Sequence, residues 1–146
     1  MVFVSITRLR IRSWRFMPAF IIDTNKTLRQ VKRAEGFLAG SLLPDRRFTF
    51  WTMTLWRDHA AMKRYITSGS HLQTMPKLLG WCDEASVVHW DQESETAPDW
   101  QEADRRMRDQ GRSSKVRHPS ANHHQLSYDT PKAAGAVPIV PKRPSR

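Results

Sequence analysis

Two hydrophobic periodicities interleaved in a fixed order predict an α+β protein on the ferredoxin-like βαββαβ plan. The first 95 residues switch between alternating and helical spacing in the order strand, helix, strand, strand, helix, strand. All six Phe and five of the six Trp fall in that stretch, enough apolar surface for one packed core. The single cysteine, Cys82, excludes an internal disulfide framework and fits a reducing compartment. No cluster of Cys and His has zinc-site spacing, so the fold must rest on its core.

Each element has its own signal. Val2, Val4 and Ile6 alternate with Phe3, Ser5 and Thr7, the period of a first strand. Ser13 then offers an N-cap, and Met17, Phe20, Ile21, Leu28 and Val31 form one apolar stripe, predicting a helix over 14–34 that bends at Pro18 and stops at Gly36. Phe37 to Leu43 and Phe48 to Trp56 read as a hairpin across Pro44-Asp45-Arg46-Arg47. Asp58 caps a second helix carrying Ala61, Met62, Tyr65 and Ile66. Ser68-Gly69-Ser70 breaks it, and Ser70 caps a further turn or two over 71–80, which tolerates Pro76 only near its beginning or with a kink. Ala85 to Trp90 is the last strand of the plan.

Four strands with helices on one face leave the other face bare. With Val2, Val4 and Ile6, and Trp51, Met53 and Leu55, directed at the helices, the open face carries Phe3, Ser5, Thr7, Phe50, Thr52, Thr54 and Trp56. That face is too aromatic for water and too rich in hydroxyls for an ordinary core. A second copy packed sheet to sheet would cover it, and a cavity lined by aromatics and hydroxyls is expected either between the two layers or between each sheet and its own helices.

The residues Trp56-Arg57-Asp58, then Tyr65, then Ser68-Gly69-Ser70-His71 resemble the antibiotic biosynthesis monooxygenase and haem-degrading monooxygenase superfamily of dimeric α+β barrels. The resemblance spans residues 1 to 92. It implies a homodimer with a pocket near the third strand and the following helix, acting on a hydrophobic or aromatic small molecule with O₂ and no cofactor. His71 is then the catalytic base, and Thr7, Phe50, Thr54, Trp56 and Met75 are the ligand-binding positions. Trp56 matches the pocket Trp of the haem degraders, and Thr7 stands where they place an Asn. Their haem-ligating His falls near Met75, one turn beyond His71, so the alternative is a haem protein with His71 as axial ligand. A non-enzymatic carrier or sensor, or a module docking on nucleic acid, is the reading from outside the enzymes.

The rest of the chain reads differently. Pro98 to Gln110 is a short charged helix with Trp100, Ala103 and Met107 on one face, inside a 96–111 segment. Residues 112–146 form a basic, Pro-containing tail whose sparse apolar content predicts disorder. The net charge of +10 divides evenly, +5 on residues 1–95 and +5 on residues 96–146. Arg8, Arg10, Arg12 and Arg15 cluster at the end of the first strand, and Arg105, Arg106, Arg108, Arg112, Lys115 and Arg117 form a second group. Interleaved stacking aromatics and known nucleic-acid motifs are missing, so these read as solvated charge, with Arg8 and Arg10 available to a carboxylate-bearing ligand at the cavity mouth. Cys82 reads as a buried inert thiol, His89 as structural, and His118, His123 and His124 as solvated. The N-terminal stretch has neither a signal-peptide core nor a membrane span, which predicts a cytoplasmic protein without a membrane partner.

Overall fold

The computed structural model describes residues 1–142. β1 (Val2–Ile11) leads through a short 3-10 turn into α1 (Met17–Arg33), then β2 (Phe37–Asp45), β3 (Thr49–Trp56), α2 (His59–Ile66), α3 (Gly69–Trp81) and β4 (Cys82–Gln92). α4 (Trp100–Gln110) and two short strands, β5 (Arg112–Ser113) and β6 (Val137–Ile139), complete the chain. The sheet is antiparallel with order β5-β4-β1-β3-β2-β6. The βαββαβ core is present as the periodicities require. The sheet stays open and does not close into a barrel: its edges are the two tail strands, which pair with β4 and β2 and then stop.

Local rules explain most boundaries. Asp58 accepts the Ala61 N–H at 2.8 Å and starts α2; Asp99 accepts the Glu102 N–H at 2.8 Å and starts α4. Pro44 does not end β2. It lies past the stretch of β2 that β6 covers, where the strand is an edge and a missing N–H costs nothing. The hairpin loop is therefore 46–48, with Arg47 and Phe48 both at φ 57°. α3 begins two residues earlier than Ser70 would set it, after Ser68, and runs through Pro76.

The two sheet faces are the reverse of the expected assignment. Phe3, Ser5, Thr7 and Leu9, with Phe50, Thr52, Thr54 and Trp56, look toward α1, α2 and α3. Val4, Ile6, Trp51, Met53, Leu55, Val88 and Trp90 form the opposite face, and Ala103 and Met107 of α4 pack onto it. Alternation defines two faces without saying which receives the helices. That choice follows from the right-handed connections β1-α1-β2 and β3-α2-α3-β4 between parallel strands. Val4, Ile6, Trp51 and Leu55 are fully buried by the chain itself, so neither face of the central sheet is bare in this protomer.

Nor is the tail structureless over 112–142. Tyr128 packs against Trp51 at 5.5 Å and is held between the guanidinium groups of Arg8, at 4.4 Å, and Arg108, at 4.1 Å. His123, the reverse of a solvated histidine, is buried: Nδ1 accepts the Ala85 N–H and Nε2 meets the Ser114 carbonyl at 2.8 Å. Composition averages over the segment and misses these few anchors, which act together with backbone pairing to both sheet edges. Residues 143–146 of the tail lie outside the described residues.

Candidate active site

The space between the sheet and its helices holds a cavity of about 340 Å³, within the usual range for small-molecule sites. Strand register builds its floor. Ser5 lies opposite Thr54 on β3 and His89 on β4; Thr7 lies opposite Thr52 and Val87; Leu9 lies opposite Phe50 and Ala85. Directly opposed residues share a face, so these pairs lay a central strip of hydroxyls between apolar neighbours. The roof comes from α1 through Phe20, Thr24, Thr27 and Leu28, and from α3 through His71, Thr74, Met75 and Leu78. The tail supplies two walls, Ser114 to Val116 beside β4 and Ile139 beside β2.

His71 sits in the first turn of α3, and Gln30 of α1 holds it there. The Gln30 amide donates to the carbonyls of Tyr65 (3.0 Å) and Ser68 (2.8 Å), while its Oε1 accepts the His71 backbone N–H at 2.7 Å. Gly69, at φ 56°, makes the tight turn between α2 and α3, and a Cβ there would come within 3.2 Å of the Gln30 amide. Below it, Asp23 accepts from Lys77 at 2.9 Å and from Thr74 at 3.4 Å, tying α1 to α3 across the roof.

The His71 ring lies edge-on to Tyr65 at 4.9 Å, and its Nδ1 is buried without a hydrogen-bond partner among the described residues. Burial holds its pKa below the ordinary histidine value, with the Ile66 carbonyl pulling the other way. The imidazole is therefore neutral near pH 7 and able to accept a proton. Thr27 Oγ1 is also buried and unpartnered, on the same cavity roof. His71 and Thr27 thus both belong to the lining of the chamber, each with a buried polar atom that has no partner among the described residues. Burial also pushes the Tyr65 phenol up, so it remains a neutral hydroxyl.

Of the positions singled out from sequence, His71, Thr7, Phe50, Thr54 and Met75 all line the cavity, with Met75 half-exposed at its mouth. Trp56 does not. Its indole is fully buried against Phe37 at 5.4 Å and Tyr65 at 5.1 Å, because β3 ends where α2 closes onto the sheet. It lies behind the chamber wall, in one packed cluster with the lining residues Val31, Met62 and Tyr65. Arg8 and Arg10 are not at the mouth either: on the far face, Arg8 pairs with Glu84 at 2.7 Å and Arg10 bonds Asp83 through two nitrogens. Cys82 is fully buried with its thiol pushed up to about 12 by burial, which makes it unreactive. His89 lines the floor rather than serving packing alone.

Sequence reasoning missed Gln30 and Thr27. Both lie on the inner side of the α1 stripe, but nothing in the spacing marks a polar residue there as a clamp rather than a solvated one. No helix is long and apolar enough to cross a membrane among the described residues, and no group of three or more His, Cys, Asp or Glu is placed to hold a metal ion.

Comparison with solved structures places this architecture. The chain is similar to a point mutant of SnoaB, a cofactor-independent oxygenase from Streptomyces nogalater, with 18% identity and a TM-score of 0.54 over 67% of this chain and 98% of that one. It is similar to Rv0793 from Mycobacterium tuberculosis, with 12% identity and a TM-score of 0.59 over 66% of this chain and 100% of that one. An antibiotic biosynthesis monooxygenase matches with 18% identity and a TM-score of 0.56 over 64% of this chain and 100% of that one. The protein thus has the antibiotic biosynthesis monooxygenase-like fold, and about a third of its length lies beyond what these whole neighbours span. A comparison with curated proteins gives no match. Residues 17–126, which include α4 and the buried His123, match the family described as "Domain of unknown function (DUF3291)", and the chain belongs to that family.

Proposed function

We propose that the protein is a cofactor-independent oxygenase of a hydrophobic, aromatic small molecule. The observation that carries this reading is a neutral His71 in the lining of a chamber of about 340 Å³. The cavity suits a ligand of a few fused rings, its faces against Phe20, Leu28 and Phe50 and its polar edge toward Thr27 and His71. His71 takes a proton from a phenol or from an acidic methylene beside it, giving an electron-rich anion that reacts with O₂. A methylene R–CH₂–R′ and O₂ then yield R–CO–R′ and water: the carbon is oxidised, one oxygen atom stays on it, and the other leaves with both hydrogens. The substrate supplies every electron, and the protein supplies orientation, desolvation and the base.

The residues present do not suit haem with His71 as its axial ligand. The arginines that would meet propionates are spent on Glu84 and Asp83 across the sheet, leaving Lys115 as the one lysine or arginine lining the chamber among the described residues. Oxygen uptake with a tricyclic anthrone as probe tests the proposal. The expected result is uptake by the native protein and a loss of roughly 100-fold or more in His71→Ala, the usual scale of a general base. Equal rates in both would refute the role of His71, and tight probe binding without oxygen uptake would assign a carrier instead.

A further inference from the structure

One end of the molecule, away from the chemistry of His71, carries an unusual combination. Trp14 is 71% exposed, Ile22 57% and Ile21 50%, so the start of α1 and the turn before it turn apolar side chains outward. Phe48 is also exposed, and the Ile11 N–H donates to its carbonyl at 2.9 Å, fixing the β2–β3 loop next to the strand end that leads into Trp14. Arg47 and Phe48 are both held in the left-handed region, which a bulky side chain adopts only at a cost. The loop bears that strain to present an arginine and a phenylalanine at its tip.

The charge around this apolar tip is predominantly basic: Asp45, which precedes the loop, pairs with Arg46 at 3.7 Å. Arg12, Arg15 and Arg47 make no ion pair among the described residues, and neither do Lys26 and Arg29 farther along α1. Between Arg12 and Arg33 the sole carboxylate is Asp23, and it is buried and occupied by Lys77. An exposed Trp flanked by Arg, aliphatic side chains on the outer side of a helix start, and cations without counter-charges match the headgroup region of an anionic bilayer. Indole and guanidinium sit at the interface, and isoleucine enters the acyl boundary. A nucleic acid would use the cations and leave Ile21 and Ile22 without a partner.

We propose that this end, formed by residues 12–22 and the loop 46–48, docks on an anionic lipid surface. Such docking would bring the protein to where hydrophobic substrates concentrate, yet it stands on its own whether or not the oxygenase reading holds. No spanning segment is involved, so the surface is peripheral and reversible.

Vesicle co-sedimentation of the full chain tests it, with vesicles of phosphatidylcholine alone and of phosphatidylcholine mixed with phosphatidylserine. Binding should appear with the mixed vesicles, weaken with salt, and be far weaker on phosphatidylcholine alone. Each basic residue at such a surface is worth roughly fivefold, so Arg15→Gln with Arg47→Gln should lower affinity roughly 25-fold. Trp14→Ser with Ile22→Ser should lower it about tenfold or more. All four positions are exposed, so unchanged thermal unfolding is expected and confirms folding. Absence of binding, or native binding in the Trp14 and Ile22 variant, would overturn the proposal. So would single-stranded oligonucleotide binding that the arginine variant loses and the Trp14 and Ile22 variant keeps. A native dimer that Ile22→Ser dissociates would assign the face to a second copy instead.

Discussion

Replacing Met107 by alanine tests how the far side of the sheet is covered. Met107 is fully buried, as is its helical neighbour Ala103, and both pack in one cluster with Val4, Ile6, Trp51 and Leu55. Truncation of a buried methionine removes its transfer free energy and leaves a cavity, together about 2–5 kcal/mol. The sheet beneath is fixed by pairing on both sides of β1 and β3, so collapse is limited and a loss of about 3 kcal/mol is expected. For a chain of this size that lowers the melting temperature by roughly 12 °C, at about 4 °C per kcal/mol. Urea unfolding followed by far-UV circular dichroism measures the loss directly, and an unchanged slope would show that the unfolded state is not the cause. A loss under about 0.5 kcal/mol, in a protein whose native mass is that of a dimer, would refute the reasoning: a second copy rather than α4 would then cover Val4, Ile6 and Trp51.

Three further outcomes follow from the same geometry. Glu84→Gln should cost about 3–5 kcal/mol, because Glu84 receives Arg8 at 2.7 Å, Arg10 at 3.0 Å and the Ser120 hydroxyl at 2.8 Å, and its loss strands a buried guanidinium; chemical denaturation measures it. Ile139→Ser should cost about 1.5–3 kcal/mol and weaken binding of an apolar fluorescent probe, since this tail residue is both buried and a cavity wall; unchanged probe binding would separate the tail from the site. His71 has its pKa lowered on folding, so below its ordinary value of 6.5 the unfolded chain binds a proton that the folded chain refuses. Stability should therefore fall as pH drops from about 6.5 toward the folded value, by at most about 1.4 kcal/mol per pH unit for that proton, and His71→Gln should flatten the melting-temperature profile there. His89 is lowered by burial and by Arg112 and His59 as well, so its slope should persist in that variant.

The amino-acid sequence determined the parts and their order. Alternation marked Val2 to Thr7 as a strand, the Asp58 cap placed α2, and the helical stripe from Met17 to Val31 placed α1, because these signals are local and need no neighbour. The same locality explains why His71, Thr7, Phe50, Thr54 and Met75 were legible: strand register and helix phase carry each of them to the cavity. Trp56 misled because its spacing says which face it takes but not where the chamber ends. What the tertiary structure alone decided was which sheet face meets the helices and what covers the other. Handed crossovers set the first, and packing of Met107 and Tyr128 from far along the chain set the second. Tail composition gave no sign of it, since a few buried anchors and backbone pairing at two open sheet edges are interactions between distant segments, and no local pattern encodes them.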